Sequence, residues 1–546
     1  MKKFSYKDCG CSFDVLKESS ERPSILFDLD IEKINLECKK TWKIISDGNT
    51  KGCFQLESRL GQSLAKKLKP ENIEQLAALV SIMRPGCLEA FREGKSVTHH
   101  YIDKKNHLES IDYFHSSLEP ILNKTYGEMI YQEQAMQIAQ KIAGFDLKEA
   151  DMLRKAIGKK KPEEMAKVKQ MFLEGSKKLK IVNESEAGEL FNWIEKSQRY
   201  SFNKSHAVSY AFNAFLSAYA KAHFPKIFFT SYLMFAKDKI DPQKEIRDLV
   251  NNANEMDISV LVPDFRLLNE NFILKNNNIY FGLTNIKGFG KSMYDKLMNL
   301  INSEKYDIQN MSFMDLLFKV LKNLNSIAAK SLISSGGLDY FKLNRNYMLA
   351  AYNAISGLTD RESKWLIENV KLSEFKNLET LLEFVLTCGV GKKSCVASSK
   401  RLGAVQDIYN ILINPPYSLI DSPEWIADNE YNSLGVSITC SKIDGCDIMN
   451  ANTTCKEFKD SSRKDIVIAC EIQDVNTIKT KKGKNPGQEM CFITASDSSG
   501  GIDCIVCFPE QHIEYNHLFD IGNTVLFAGS KSKDGASFIV KKVWQL

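Results

Sequence analysis

Between residues 50 and 240 apolar side chains recur at steps of three and four, the period of helices that bury one face. In EMIYQEQAMQIAQKIAGF (128–145), Met129, Met136, Ala139 and Ala143 share a face, and Gly144 supplies a stop. In LKEADMLRKAI (147–157), Leu147, Ala150, Leu153 and Ile157 are expected to face a core, with Gly158 ending the helix and Lys159, Lys160 and Lys161 forming an exposed basic turn. Pro162 suits the first position of the next helix, Glu163 and Glu164 suit its positive end, and Met165, Val168 and Phe172 give it a buried stripe.

From residue 258 the pattern changes to short strand-like runs, ISVLVPDFRLL and NIYFGL. They lead into LTNIKGFGKSMYDKL (283–297), where Leu283, Ile286, Phe289 and Leu297 are apolar around Gly288 and Gly290. That is the layout of a helix-hairpin-helix, whose glycine turn lets backbone N–H groups approach a nucleic-acid phosphate; Gly-x-Gly turns also occur in purely structural hairpins. Residues 350 to 460 are less patterned, and the Pro-marked stretch INPPYSLIDSPEWIADNEYNSLG reads as a linker docked on a small domain. After Asp465 come DIVIACEIQDV, EMCFITASD, GIDCIVCF, NTVLFAGSKSK and SFIVKKVWQL, short strands that fit an OB-type barrel, a common platform for single-stranded nucleic acid. The loop KTKKGKNPGQ (479–488) brings Lys481, Lys482 and Lys484 to that barrel. The fold class expected is therefore multidomain α+β: a mainly helical part, a helix-hairpin-helix region and a C-terminal OB-type β-barrel.

Composition changes this picture little. The chain has 546 residues, 43% hydrophobic and 26% charged, too long for one core. Its most apolar helical stretch, 207–224, is broken by Ser209, Asn213, Ser217 and Lys221, so no membrane span and no membrane partner are expected. The N-terminus has no signal-peptide core, and 14 scattered cysteines fit reduced thiols, so a cytoplasmic location is expected. Cys9 and Cys11 lack a second close pair, so no metal site is expected there, and Cys504 and Cys507 read as core thiols. The net charge of +5 is unevenly spread: Arg154 to Lys180 is densely basic against only Glu163, Glu164 and Glu174. That excess points to a phosphate-bearing partner, with a solvated helix face as the plain alternative. Asp28 and Asp30 in LFDLDIEKIN raise a second possibility, a pair of metal-binding carboxylates, against turn or cap residues.

Several strings then occur in one order: KGCFQLESR (51–59), MRPGCLEA (83–90), TYGEMIYQEQAMQIAQKIAGF (125–145), ADMLRKAIGKKKPEEMAK (150–167), YSFNKSHAVSYA (200–211), FGLTNIKGFG (281–290) and SLISSGGLDYF (331–341). Together they resemble the C-family bacterial DNA polymerase III alpha subunit in its DnaE-like form, over roughly residues 25 to 546. The resemblance implies an approach to the fingers in 1–50, a fingers domain in 51–260, a helix-hairpin-helix duplex-binding and clamp-proximal region with linker in 261–460, and an OB domain in 461–546. It implies that Arg154, Lys155 and Lys159 bind the incoming nucleotide's phosphates, with Lys160 and Lys161 on DNA. Lys155 stands where the family usually has arginine, which keeps the charge and loses the bidentate fork.

The string YSFNKSH resembles the family's Y-G-F-N-K-S-H nucleotide pocket and implies that Tyr200, Ser201, Phe202, Asn203, Lys204 and His206 line it; Ser201 replaces a glycine. The alternative is a buried aromatic turn with a satisfied histidine. Arg84, in a loop where Cys87 replaces a proline, is implied on DNA, as are Lys287, Gly288, Gly290, Lys291 and the barrel lysines. A clamp-binding peptide is not evident, and QDIYNI (406–411) is a poor match.

In the family the chemistry belongs to palm aspartates that hold Mg²⁺ ions, in motifs well upstream of F-Q-L-E-S. Neither motif is spelled ahead of Phe54, and Asp28 and Asp30 fall too late to be those ligands. The expectation is a DNA-directed DNA polymerase component that uses dNTP and primer-template DNA, inactive without a palm-bearing partner chain that holds the Mg²⁺, with a sliding clamp as a further partner. The alternative is a non-catalytic DNA-binding relic or accessory protein of replication.

Overall fold

The computed structural model describes all residues except 1–2, 6–8, 18–23, 27–29, 160–161, 198–200, 388–400, 459, 481–485, 533–534 and 536. The chain divides into two compact units, Met1–Pro225 and Lys226–Leu546.

The first unit opens with a small antiparallel sheet of Lys3–Ser5, Ser12–Lys17 and Ser24–Leu26 and is otherwise helical. Its centre is the helix Lys204–His223, which buries Ala207, Ala211, Ala214, Ala218 and Ala222. Alanines at steps of three and four let the backbone of a second helix come close, and Ile73–Ile82, buried from Leu76 onward, packs there. Lys221, the charge that breaks the apolar stretch, is buried and donates from Nζ to the carbonyls of Asn49 and Lys51 at 3.0 and 2.9 Å. A second core joins the helices Gln132–Ala143, Leu147–Lys159, Pro162–Leu179 and Glu184–Ser197 around Phe172, Phe191 and Leu190. Gly175 is required there: a Cβ would lie 2.0 Å from the Ala143 carbonyl oxygen.

The helical reading needs local corrections. Gly144 does stop its helix, at φ +69°. That helix starts at Gln132, past Met129, because the Gln134 side chain turns back and accepts from the N–H groups of Ile130 and Tyr131, both at 3.0 Å. Gly158 does not end the next helix, which runs to Lys159; one interior glycine costs only about 1 kcal/mol against alanine. Leu147 is 74% exposed, as the first residue of that helix, while Ala150, Leu153 and Ala156 are buried.

In the second unit, Val260–Leu261, Ile273–Lys275 and Asn278–Tyr280 form a small mixed sheet ahead of the Gly288 turn. Leu283–Asn285 is a single 3₁₀ turn, and Lys291–Glu304 is the helix that follows the hairpin. The stretch read as a linker is only partly one. Its second half forms the helix Pro423–Leu434, whose buried Glu430 meets the buried Arg345 guanidinium at 2.8 Å. A periodicity search misses this helix because its anchor is an ion pair rather than an apolar stripe. QDIYNI lies inside the helix Leu402–Ile413, so it is not an extended clamp peptide.

Ile466–Lys479, Glu489–Asp497, Gly500–Cys507, Thr524–Lys531 and Phe538–Gln545 close into a barrel in the order first, second, third, fifth, fourth. The third and fifth strands run parallel, and the helix Pro509–Tyr515 sits between the third and fourth, as in an OB-type barrel. Cys507 is a core thiol, whereas Cys504 is half-buried with Ser537 Oγ at 3.2 Å. Among the described residues no helix is long and apolar enough to cross a membrane.

Candidate nucleic-acid interface

The strongest assembly of predicted residues forms where Phe202 meets the start of Gln132–Ala143. The Phe202 N–H donates to the Ile130 carbonyl and the Gln132 N–H donates to the Phe202 carbonyl, both at 3.0 Å. This short pairing fixes the entry to the helix Lys204–His223. Asn203 caps that helix, its Oδ1 accepting from the His206 N–H at 2.9 Å, and its Nδ2 donates to Glu133 Oε1 at 2.7 Å. Glu133 Oε2 accepts from the Lys204 N–H at 2.9 Å. One carboxylate thus clamps the N-terminus of the helix, where its charge is favoured.

Side chains beyond this clamp form a row at the surface. The Arg84 guanidinium lies 3.6 Å from the Phe202 ring centroid. His206 stands 5.3 Å from Phe202 and 4.1 Å from Tyr210, and Tyr210 stands 5.2 Å from Phe54. His206 and Tyr210 meet because they are four apart on one helix. His206 and Arg84 are exposed and Phe202 and Tyr210 half-buried, so this is a surface of rings and cations rather than a closed turn. Such a row can stack a base and attract a phosphate. Lys204 Nζ lies 3.9 Å from Glu74 and 5.7 Å from the Tyr131 ring.

Not every predicted residue points outward. Both ends of the Asn203 amide are committed to the helix cap and to Glu133. Ser201 is buried, and its Oγ donates to the Ser197 carbonyl at 2.8 Å. Tyr200, Lys160, Lys161, Lys481, Lys482 and Lys484 lie outside the described residues, and Lys159 is placed only as the last residue of its helix.

Arg154 and Lys155 lie on the helix Leu147–Lys159. Arg154 donates from Nε and Nη2 to Asp151 Oδ1 at 3.0 and 2.8 Å, and Lys155 Nζ lies 2.7 Å from Asp151 Oδ2. Hydrogen bonds from Lys155 and Arg154 hold the Asp151 carboxyl below the usual range. One anion faces two cations, so the cluster keeps a net positive charge for a phosphate.

At the hairpin of the second unit, Phe289 is buried as an anchor while Lys287, Gly288, Gly290 and Lys291 are exposed. Gly288 adopts φ +91°, and the Lys287 N–H donates to the Ser433 carbonyl at 2.8 Å. Gly290 begins the helix Lys291–Glu304 with no side chain capping it and open space beside it, a favourable setting for an anion. Lys291 pairs with Glu270 and Asp295 at 2.7 and 3.0 Å.

Among the described residues, the carboxylates nearest these surfaces already have partners. Asp30 is a turn residue, its Oδ1 accepting from the Glu32 N–H at 3.1 Å and its Oδ2 pairing with Lys33 at 3.3 Å; Asp28 lies outside the described residues. Glu133 and Glu74 are engaged by Asn203, Lys204 and Lys124. These residues do not fit Mg²⁺, which needs several convergent oxygens.

Sequence reasoning missed Glu133, Glu74, Tyr210, Phe54 and Asp151. Phe54, Tyr210, Glu133 and Asp151 all lie within the ordered strings, but only the fold reveals their partners.

Known proteins resemble this chain over most of its length. The profile of the bacterial DNA polymerase III alpha subunit finger domain matches residues 12–180, and that of a helix-hairpin-helix motif matches 257–348. The DNA polymerase III subunit alpha of Escherichia coli strain K12 is 35% identical over 529 residues, covering 93% of this chain and 41% of that protein. That of Buchnera aphidicola is 31% identical over 494 residues (88% and 39%), and that of Aquifex aeolicus 29% over 535 residues (95% and 40%). The chain spans about two fifths of the length of these relatives.

Proposed function

The chain belongs to the C-family DNA polymerase III alpha subunits in their DnaE-like form, as their part from the fingers onward, and on that premise we propose that it supplies incoming-nucleotide binding and primer-template binding to a replicative DNA-directed DNA polymerase. The observation that carries the reading is the row Arg84, Phe202, His206 and Tyr210 at the start of the Lys204–His223 helix, with Arg84 and His206 exposed. A plain DNA clamp has no need of such a row beside a net-positive Arg154–Lys155 cluster in the same unit.

In the proposed reaction the primer 3′-oxygen bonds to the α-phosphorus of a dNTP and pyrophosphate leaves. This chain's share is to hold the triphosphate with Arg154, Lys155, Lys159 and Lys204 and to seat the base against Phe202 and His206. The hairpin at Gly288–Lys291 and the barrel hold the DNA backbone. The proposal assigns Mg²⁺ and its carboxylates to a palm on a separate polypeptide; consistent with this, Glu133 and Glu74 beside the row are committed to Asn203, Lys204 and Lys124.

The test is primer extension with a PHP–palm polypeptide added. Arg154→Ala and His206→Ala are expected to raise the KM for dNTP while leaving duplex affinity unchanged. An unchanged KM for both variants would remove the nucleotide site and leave a DNA-binding relic. Extension by the chain alone would remove the separate palm.

A further inference from the structure

Cys9 and Cys11 flank Gly10 in a turn, and their spacing alone offers half a metal site. The fold brings the other half. Cys38 is the residue that precedes the helix Lys39–Ser46, and His223 is the last residue of Lys204–His223. One donor atom from each of Cys9, Cys11, Cys38 and His223 lies within 4.8 Å of all the others. Cys38 Sγ and His223 Nε2 are 3.4 Å apart.

A tetrahedral Zn²⁺ with Zn–S of about 2.3 Å and Zn–N of about 2.0–2.1 Å sets its donors about 3.5–3.8 Å apart. The Cys38–His223 pair is therefore already at ligating separation, and the others need at most about an ångström of contraction. We propose that Cys9, Cys11, Cys38 and His223 form a structural zinc site. Thiolates with an imidazole select Zn²⁺ over hard cations, and four protein ligands leave no open position for catalysis.

The surroundings suit that role. Cys11, Cys38 and His223 are buried and Cys9 is half-buried, so the metal has one side of entry. Asn35 Nδ2 lies 3.4 Å from the Cys9 carbonyl oxygen and 3.9 Å from Cys11 Sγ, placed to steady the turn and donate to a thiolate. Tyr219 packs on the His223 ring at 4.4 Å between centroids and fixes its plane. His206 and Tyr210 precede His223 on the same helix, so at about 1.5 Å per residue the metal sits roughly 20 to 25 Å from their part of the row. The zinc would tie residues 9–11 to the far end of the helix that presents the row, without touching nucleotide.

The full chain, purified under reducing conditions, is expected to bind one equivalent of Zn²⁺. Co²⁺ in its place should give the intense visible bands of a tetrahedral thiolate site with sulfur-to-metal charge transfer. Cys9→Ser, at the half-buried ligand, should lose one of the thiolate contributions while circular dichroism stays native, and Asn35→Ala should weaken affinity about tenfold. Cys504→Ser, in the barrel, should change nothing. A natively folded chain that binds no Zn²⁺, or a Co²⁺ spectrum that is octahedral and indifferent to Cys9→Ser, would overturn the site and leave a core of plain thiols. Neither result bears on dNTP binding, so this inference and the polymerase reading fail separately.

Discussion

The guanidinium of Arg84 stacks on the ring of Phe202, 3.6 Å from its centroid, and so joins the loop before Pro85–Glu89 to the mouth of Lys204–His223. The stack holds a cation and an aromatic face side by side on the surface. An exposed contact of this kind is worth about 0.5–1 kcal/mol, so Arg84→Ala should lower unfolding stability only by that much. Its effect on primer-template binding should be larger: weaker affinity at low salt and a salt slope reduced by about one. Fluorescence anisotropy across a salt series measures both, and an unchanged slope would place Arg84 off the DNA.

Asp151 pairs with both Arg154 and Lys155, so in the proposed site it would compete with phosphate for them. Asp151→Asn should therefore tighten dNTP binding a few-fold at low salt, with the gain fading as salt rises. Equilibrium binding of a fluorescent dNTP reads this directly; weaker binding by the variant would mean that Asp151 orients the cations rather than masks them.

The two hairpin glycines should separate stability from binding. Gly288 combines φ +91° with a Cβ position 2.7 Å from Ile327 Cγ2, so Gly288→Ala should cost about 1–3 kcal/mol in urea unfolding. Gly290 has φ −79° and open space, so Gly290→Ala should fold normally and bind duplex DNA less well. Equal duplex affinity for Gly290→Ala would show that no phosphate approaches that backbone.

Lys104 is fully buried, with its ammonium 3.0 Å from the buried Glu128 and paired also to Asp112. Lys104→Met leaves Glu128 with Arg92, 2.8 Å away, as its remaining cation. The loss should be about 3 kcal/mol by denaturant unfolding, and adding Glu128→Leu should recover most of it. Equal losses in the single and double variants would show that packing, not charge, accounts for the effect.

Glu362 gives the second unit an acid-sensitive contact. Burial pushes its carboxyl up, and the Arg401 guanidinium at 3.1 Å with the Thr359 N–H more than reverses this, leaving it below its ordinary value of 4.5. A depressed folded pKa means the contribution is complete above pH 4.5 and is lost as pH falls below it, toward the folded value. Glu362→Gln should flatten the stability–pH curve in that acid window; an unchanged curve would assign the acid loss to other carboxylates.

The chain's own pattern determined a great deal. The barrel strands are short runs of β-branched and aromatic residues between turn signals, and Gly144 and Pro162 mark helix ends because each acts through its own backbone. The string YSFNKSH marked the entry to Lys204–His223, where Phe202 and His206 stand in contact. Local chemistry could not show that Asn203 is spent on Glu133, or that a helix before Gly435 is pinned by Arg345. Nor could it bring Cys38 and His223 to Cys9 and Cys11, or Arg84 to Phe202. Periodicity reports which face of one segment leaves water. Which distant side chains then meet is decided only when those faces pack, because a contact between remote residues depends on the path of the whole chain between them.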